Sequence, residues 1–354
     1  MWVSPVNQKK IRNLDNQNYL QMKKIHILFA ALLLMFPSCL PDTSYPFTYE
    51  TIITDTPVNL SKINTEFDDY NTDIGFVSSR NYLYFSTNRN SSGDNFDFIC
   101  EAIDISYHFE DDIFNFSFPA GIEYSILQTR LFEAINTSSD ELGPLTYSGV
   151  SEYDYFIYAN DEEEDFDLKF IYTLKAEWMM PSSEGEINGP FSISFANSDY
   201  DDLYPAIHGE NSRFFFCSDR DNGQFDIYST EIPTDVYLHD FFINTTDAEI
   251  TKEINLSSDF NEKCPSISGN LLVFASDRPG GFGGYDLYYS IFDGTNWSNP
   301  VNLGNKINSP QDEYRPITAY FYDTDFMIFS SNRTGGKGGF DLYAVRTEDV
   351  FFEQ

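Results

Sequence analysis

Apolar and polar positions along this chain group into short runs that fit strands better than helices. Leu271-Leu272-Val273-Phe274 is one such run, and it leads into a Ser276-Asp277-Arg278 corner. A glycine-rich turn follows (Gly280, Gly281, Gly283, Gly284), and the chain returns as Tyr285-Asp286-Leu287-Tyr288. Glycine supplies the positive φ that a tight reversal needs. The pattern therefore predicts a strand, a turn and a returning strand.

The same unit recurs, which makes repeats the first question. Phe329-Ser330-Ser331-Asn332-Arg333, then GGKGG, then Phe340-Asp341-Leu342-Tyr343 is nearly a copy. Phe216 to Arg220 with Phe225 to Tyr228 is another, and Phe85 to Arg89 with Phe96 to Ile99 a third. A weaker copy runs from Ile157 to Asp161 and on to Phe166-Asp167-Leu168. In this register Asp161 takes the arginine's place, and Glu162, Glu163 and Glu164 replace the glycines.

A second signature precedes each copy: an asparagine, then a pair of acidic residues or Asn-Glu, then usually proline. It reads INTEFDDYNT at 63–72, INTSSDELGP at 135–144, ANSDYDDLYP at 196–205, NLSSDFNEKCP at 255–265 and INSPQDEYRP at 307–316. Its second acidic residues are Asp69, Glu141, Asp202, Glu262 and Glu313. The gap from that residue to the strand aspartate is 24 to 28 residues, whereas the gap to the next copy ranges from 27 to 44. One half of the unit is rigid and the other carries insertions.

These motifs, N-x3-[DE]-[DE]-x2-P, F-x-S-[DN]-R, G-G-x-G-G and D-[LI]-Y, resemble those of the TolB-like, WD-repeat-like β-propeller family of bacterial envelope proteins. The resemblance covers roughly residues 57–346. It implies an all-β fold: a single propeller over 57–350, with five blades of four antiparallel strands. It leaves function open, because many roles share that fold. Residues 57–64, PVNLSKIN, match 300–308, PVNLGNKIN, which joins the fourth unit to the fifth. The first instance has no unit before it, so the N-terminal strand is expected to complete the last blade and close the ring. The insertion 101–134 reads as extra strands around Phe114, Phe116 and Phe118 rather than as a helix.

The N-terminus differs in kind. Residues 1–21 read as an upstream extension, with Met22 as the start. Met22-Lys23-Lys24, the apolar run Ile25–Phe36 and Pro37-Ser38-Cys39 read as a lipoprotein signal with Cys39 the lipidated residue. Plain secretion and a buried helix are the alternatives. Residues 40–56 are then a tether. The expected location is the outer membrane, lipid-anchored and facing the periplasm rather than the cell surface, with membrane contact through the lipid alone and a monomeric state.

Charge narrows the partners. The net charge is −35, and setting aside the five basic and one acidic residues of 1–39 leaves 16 against 55, or −39. Nucleic acid is excluded as a partner, since phosphate binding needs a cationic surface. With Cys39 lipidated, Cys100, Cys217 and Cys264 form no disulfide framework.

No G-x-S-x-G elbow and no H-E-x-x-H motif occurs. The paired carboxylates recur at equivalent places, which marks them as architectural. Both loop signatures fall on one face of the disc, so the expected ion pairs are Asp69–Arg89, Asp202–Arg220, Glu262–Arg278 and Glu313–Arg333. The carboxylates of the aberrant unit (Asp140, Glu141, Asp161, Glu162, Glu163, Glu164, Asp165) lack an in-register cation and are a candidate calcium site. No cofactor is required. Variable connections on the opposite face, 101–134 and 231–247 with Tyr237, Phe241 and Phe242, are candidate partner contacts. The expectation is a non-enzymatic binding or scaffold module for an envelope protein or glycan, with no catalytic residue. A glycan-active propeller hydrolase or lyase is the alternative.

Overall fold

The computed structural model describes residues 48–351 except 78–79, 150, 163, 176–185, 210–211, 323 and 349. The signal segment and Cys39 lie outside the described residues. Five antiparallel sheets follow one another as blades. Blade one orders its strands β1 (Thr48–Ile53), β6 (Ile113–Pro119), β5 (Asp97–His108), β4 (Arg80–Thr87) and β3 (Asp69–Val77). Blade two holds β7 (Glu141–Tyr147), β8 (Tyr153–Asn160), β9 (Asp167–Leu174) and β10 (Asn188–Ser192). Blade three holds β11 (Asp202–His208), β12 (Arg213–Ser218), β13 (Asp226–Glu231) and β14 (Thr251–Lys252). Blade four holds β15 (Glu262–Ser268), β16 (Leu271–Ser276), β17 (Asp286–Ile291) and β18 (Val301–Asn302). Blade five holds β19 (Glu313–Phe321), β20 (Thr324–Ser331), β21 (Asp341–Arg346) and, from the N-terminus, β2 (Val58–Asn59).

The expected five-bladed propeller and its closure are borne out. Val58 pairs with Ala344 and Asn59 with Tyr343. Leu60 is fully buried at this seam and donates its amide to Leu342 O at 2.9 Å. Blade one differs in detail, because part of the expected tether forms β1 and adds a fifth strand on β6.

Each blade is covered on both faces by its neighbours, so the second strands are continuous apolar runs rather than alternating ones. Phe214, Phe215, Phe216 and Cys217 of β12 are all fully buried. Cys100 and Cys264 are buried free thiols as well. Every innermost strand carries a bulge two residues after its first, carboxylate-bearing residue. The left-handed residues there are Asn71, Gly143, Tyr204, Cys264 and Arg315. Arg315 is 1% exposed and reaches from blade five to Pro144 O of blade two at 2.6 Å, so the interior of the axis is filled.

Two helices depart from the sequence expectation. Within 101–134, β6 is followed by a helix over Ile126–Ile135. Its signal was local: Ser125 and Gln128 form a capping box, and Leu127, Leu131, Phe132 and Ile135 supply a buried stripe. The second helix, Leu238–Asn244, buries Phe241 and Phe242 against Phe195 and Phe170. These two residues are therefore core and not partner contacts; only Tyr237, 42% exposed, presents a surface. A helix repeats its apolar face every three to four residues, and two adjacent phenylalanines can both fall on that face.

Candidate functional site at the axial mouth

The loop entering each innermost strand is stitched to the blade before it. Asp68, Asp140, Asp201, Asn261 and Asp312 each accept a backbone amide there, from Phe340, Phe96, Phe166, Phe225 and Tyr285 respectively, at 2.6 to 3.1 Å. The signature asparagine acts beside it. Asn308 accepts Leu287 N at 2.8 Å and donates to Leu287 O at 3.0 Å, and Asn64 makes the same pair with Leu342 across the closing seam. The glycine-rich turn packs on this loop: a Cβ on Gly283 would lie 1.8 Å from Gln311 O. Asp286 holds that turn by accepting Phe282 N at 2.7 Å and Gly283 N at 2.9 Å.

Beneath these stitches lie four arginine–carboxylate pairs: Arg89–Asp69, Arg220–Asp202 at 2.5 Å, Arg278–Glu262 at 2.8 Å and Arg333–Glu313 at 3.0 Å. All four carboxylates are fully buried. Each arginine also bonds a serine or threonine hydroxyl through Nε, bonds a backbone carbonyl through Nη2 and lies over an aromatic ring, as Arg333 does over Tyr343 at 4.9 Å. Burial pushes Asp202, Glu262 and Glu313 up in spite of their arginines.

Blade two breaks the pattern, in a register one residue from the sequence reading. Glu141 pairs with Asn160, just as Glu313 pairs with Ser331. Asp161 thus takes the Asn332 position and Glu162 the arginine position. Sequence similarity could not fix this, because Tyr-Ala-Asn-Asp-Glu aligns equally well in either register until strand pairing chooses. Glu162 turns to Lys169 at 2.7 Å, a cation that the sequence reading missed. Among the described residues Glu141 accepts from Thr137, through N at 3.2 Å and Oγ1 at 2.7 Å, with Asn160 opposite it in the strand pair, and its Oε2 has no hydrogen-bond partner. Burial pushes this carboxyl up to about 7. The loop does not gather its carboxylates for calcium: among the described residues no group of three His, Cys, Asp or Glu is placed to hold a metal. Asp140 and Asp161 are committed to backbone amides, Glu162 to Lys169, and Glu163 lies outside the described residues.

The stitches break symmetry too. In blades one, four and five the first acidic position and its partner after the second strand make an amide–carboxylate pair: Asn88 to Asp68 at 3.4 Å, Asn261 to Asp277 at 2.9 Å and Asn332 to Asp312 at 3.2 Å. Blades two and three place two carboxylates there instead. Asp161 Oδ1 accepts Asp140 N at 2.8 Å, and Asp219 Oδ1 accepts Asp201 N at 3.1 Å. Burial, and then the neighbouring carboxylate, raise both Asp140 and Asp219. Neither pair has the side-chain amide that the other three blades place there.

Lys263 lies within electrostatic reach of Asp201 and Asp219. It has no hydrogen bond or ion pair among the described residues. Its ammonium rests 3.7 Å from the Phe225 ring centroid and 5.9 Å from that of Tyr285, and burial lowers its pKa. From Tyr285 the rings continue around the axis through Tyr314 at 4.6 Å, Phe340 at 5.8 Å and Tyr70 at 4.9 Å. The mouth of the disc on the arginine-loop face is thus a half-exposed aromatic crescent, with one lysine and a carboxyl dyad beside it.

No family model and no curated protein matches this chain. Solved structures match its fold. A GH43_1 enzyme from Xanthomonas citri is 9% identical, covering 83% of this chain and 91% of its own at a TM-score of 0.50. The endo-arabinase from Bacteroides thetaiotaomicron is 12% identical, covering 83% and 96% at 0.48. The α-L-arabinofuranosidase from Podospora anserina, solved with cellotriose, is 9% identical, covering 83% and 95% at 0.47. At such identity the likeness establishes the fold and carries no site residue across. It corrects the sequence-based expectations nonetheless. These neighbours are glycoside hydrolase propellers and not TolB-like lipoproteins. The neighbour at a TM-score of 0.50 is an enzyme, which stands against the expectations of a non-enzymatic scaffold and of a chain without catalysis, and those expectations are not carried further.

Proposed function

We propose that this chain is a glycan-active propeller, a glycoside hydrolase whose substrate lies on the aromatic crescent at the axial mouth. The observation that carries the reading is the pair of carboxyl dyads, Asp140–Asp161 and Asp201–Asp219, where three other blades have an amide. Glycoside cleavage needs one carboxyl that keeps its proton and one that is ionised. Asp219, whose pKa is raised by burial and then by Asp201, is the candidate for the first. A carboxylate from the adjacent blade's dyad provides the second. Tyrosine and phenylalanine faces suit the apolar side of a sugar ring, and Lys263 can donate to its oxygens.

The test uses Asp161→Asn and Asp219→Asn. Each installs the amide already present at Asn88 and Asn332, so folding is preserved. Wild type should hydrolyse aryl glycosides or short neutral or acidic oligosaccharides, and each variant should lose about a hundredfold or more in kcat. Full activity in the double variant, or no hydrolysis by wild type across such a panel, overturns the assignment.

A further inference from the structure

The axial mouth repeats in register from blade to blade, and one position in it departs. The residue after each buried carboxylate holds the second place of its innermost strand: Tyr70, Leu142, Leu203, Lys263 and Tyr314. The residue before each strand aspartate is aromatic in every blade: Phe96, Phe166, Phe225, Tyr285 and Phe340. Blade five sets Tyr314 between two of these rings, 4.6 Å from Tyr285 and 5.8 Å from Phe340. Blade four sets an ammonium in the equivalent place, 3.7 Å from Phe225 and 5.9 Å from Tyr285. All ten residues are described, and Lys263 alone among them is charged.

Hydrogen-bond accounting tells what that ammonium lacks. It carries three donors, and among the described residues none of them has an acceptor. The carboxylates around it are engaged in the loops. Asp201 accepts Phe166 N and Asp219 accepts Asp201 N, both at 3.1 Å. Near Tyr285, Asp277 accepts Asn261 N at 2.7 Å and Nδ2 at 2.9 Å, and Asp312 accepts Tyr285 N at 2.9 Å and Asn332 Nδ2 at 3.2 Å. The Lys263 donors are left for solvent or a ligand. Burial lowers the Lys263 pKa, and a carboxylate in contact would oppose that shift by favouring the charged form. A bond between two charged groups at a half-buried ammonium is stronger than one to a neutral hydroxyl. The faces of Phe225 and Tyr285 beside it suit the apolar side of a sugar ring.

Building on the hydrolase reading of this mouth, we propose that the glycan it takes is acidic: a uronic acid ring lies on the crescent with its carboxylate bonded to Lys263 Nζ. Lys263 then selects the substrate class, and the carboxyls of the loops carry the chemistry.

Titration calorimetry of the full chain tests this with trimers of galacturonate, glucuronate and mannuronate, each against the same trimer after reduction of its carboxyl groups. Aryl uronides and the matching neutral aryl glycosides report cleavage. The chain's overall negative charge slows the approach of any anion, so all measurements use about 0.15 M salt, which screens that field beyond about 8 Å. Lys263→Leu installs the residue that blades two and three carry at this place, and Lys263→Arg keeps the charge. Wild type should bind at least one acidic trimer about tenfold or more tighter than its reduced form. Lys263→Leu should bring that ratio to about one, and Lys263→Arg should restore most of it. The proposal is overturned if wild type binds acidic and reduced trimers equally, if no acidic trimer gives saturable heat up to about 10 mM, or if the preference survives in Lys263→Leu. A Lys263-dependent preference without any cleavage sinks the hydrolase reading alone, and cleavage confined to neutral glycosides sinks this one alone.

Discussion

Replacing Glu162 with Arg and Lys169 with Tyr rebuilds in blade two what blades three to five already contain. The arginine would sit 4 residues after Tyr158, as Arg333 follows Phe329, and the new tyrosine would stand where Tyr228, Tyr288 and Tyr343 stand. The Ile135 carbonyl would take the place of Ile307 O, the acceptor of Arg333, because both lie 6 residues before the buried glutamate. Changing Glu162 alone would set two cations, Arg and Lys169, side by side. The magnitude follows from Glu141. A carboxyl held at about 7 in the fold against 4.5 ordinarily costs about 3 kcal/mol of stability once it is ionised in both states. The folded value is the higher one, so the penalty is absent below about pH 4.5, grows as pH rises and is complete above about pH 7. Arginine does not abolish the effect, since burial still raises Glu262 and Glu313 beside theirs. A recovery of about 1–2 kcal/mol at pH 8 is expected, a rise of a few degrees in Tm, shrinking toward zero near pH 4.5. Urea melts of both proteins from pH 5 to 8.5 measure it. A difference that does not vary with pH, or a double variant less stable than wild type at pH 8, refutes the reasoning.

Other outcomes follow from the same frame. Arg220→Met strips the counter-charge from fully buried Asp202 and should cost about 3 kcal/mol in denaturant unfolding at pH 7, with less loss at low pH where Asp202 is protonated. Deleting residues 57–62 removes β2 and Leu60 and exposes the edge of β21, so the thermal transition should broaden and fall steeply; an unchanged melt would mean the seam is not closed by this strand. Gly283→Ala puts a methyl group into Gln311 O and should destabilise the blade four to five junction by more than about 1 kcal/mol, whereas Gly280, which faces open space, should cost its variant only the strain of a positive φ.

Much of this molecule was legible in the chain because its repeats are short-range and physical. The turn between the second and third strands needs glycine where Gln311 O and Phe67 O approach, and the signature asparagine must reach a neighbouring backbone. Residues with such duties recur in register, so blade number, the arginine–carboxylate partners and the closing strand could all be read from spacing. The Ile126–Ile135 helix was legible as well, in its capping box and its 3.6-residue stripe, though the phenylalanines before it pointed to strands.

Tertiary structure decided what local pattern leaves degenerate. Strand pairing, and not similarity, placed Glu162 at the arginine position and left Glu141 without a cation. Packing sent Phe241 and Phe242 inward, since a hydrophobic side chain does not state which neighbour will cover it. The crescent joins residues from different blades, and it sets Lys263 of blade four beside Asp219 of blade three. Asp219 and Lys263 lie 44 positions apart, and Tyr70 and Phe340 lie 270 apart. No local period encodes such a meeting; closure of the ring brings it about.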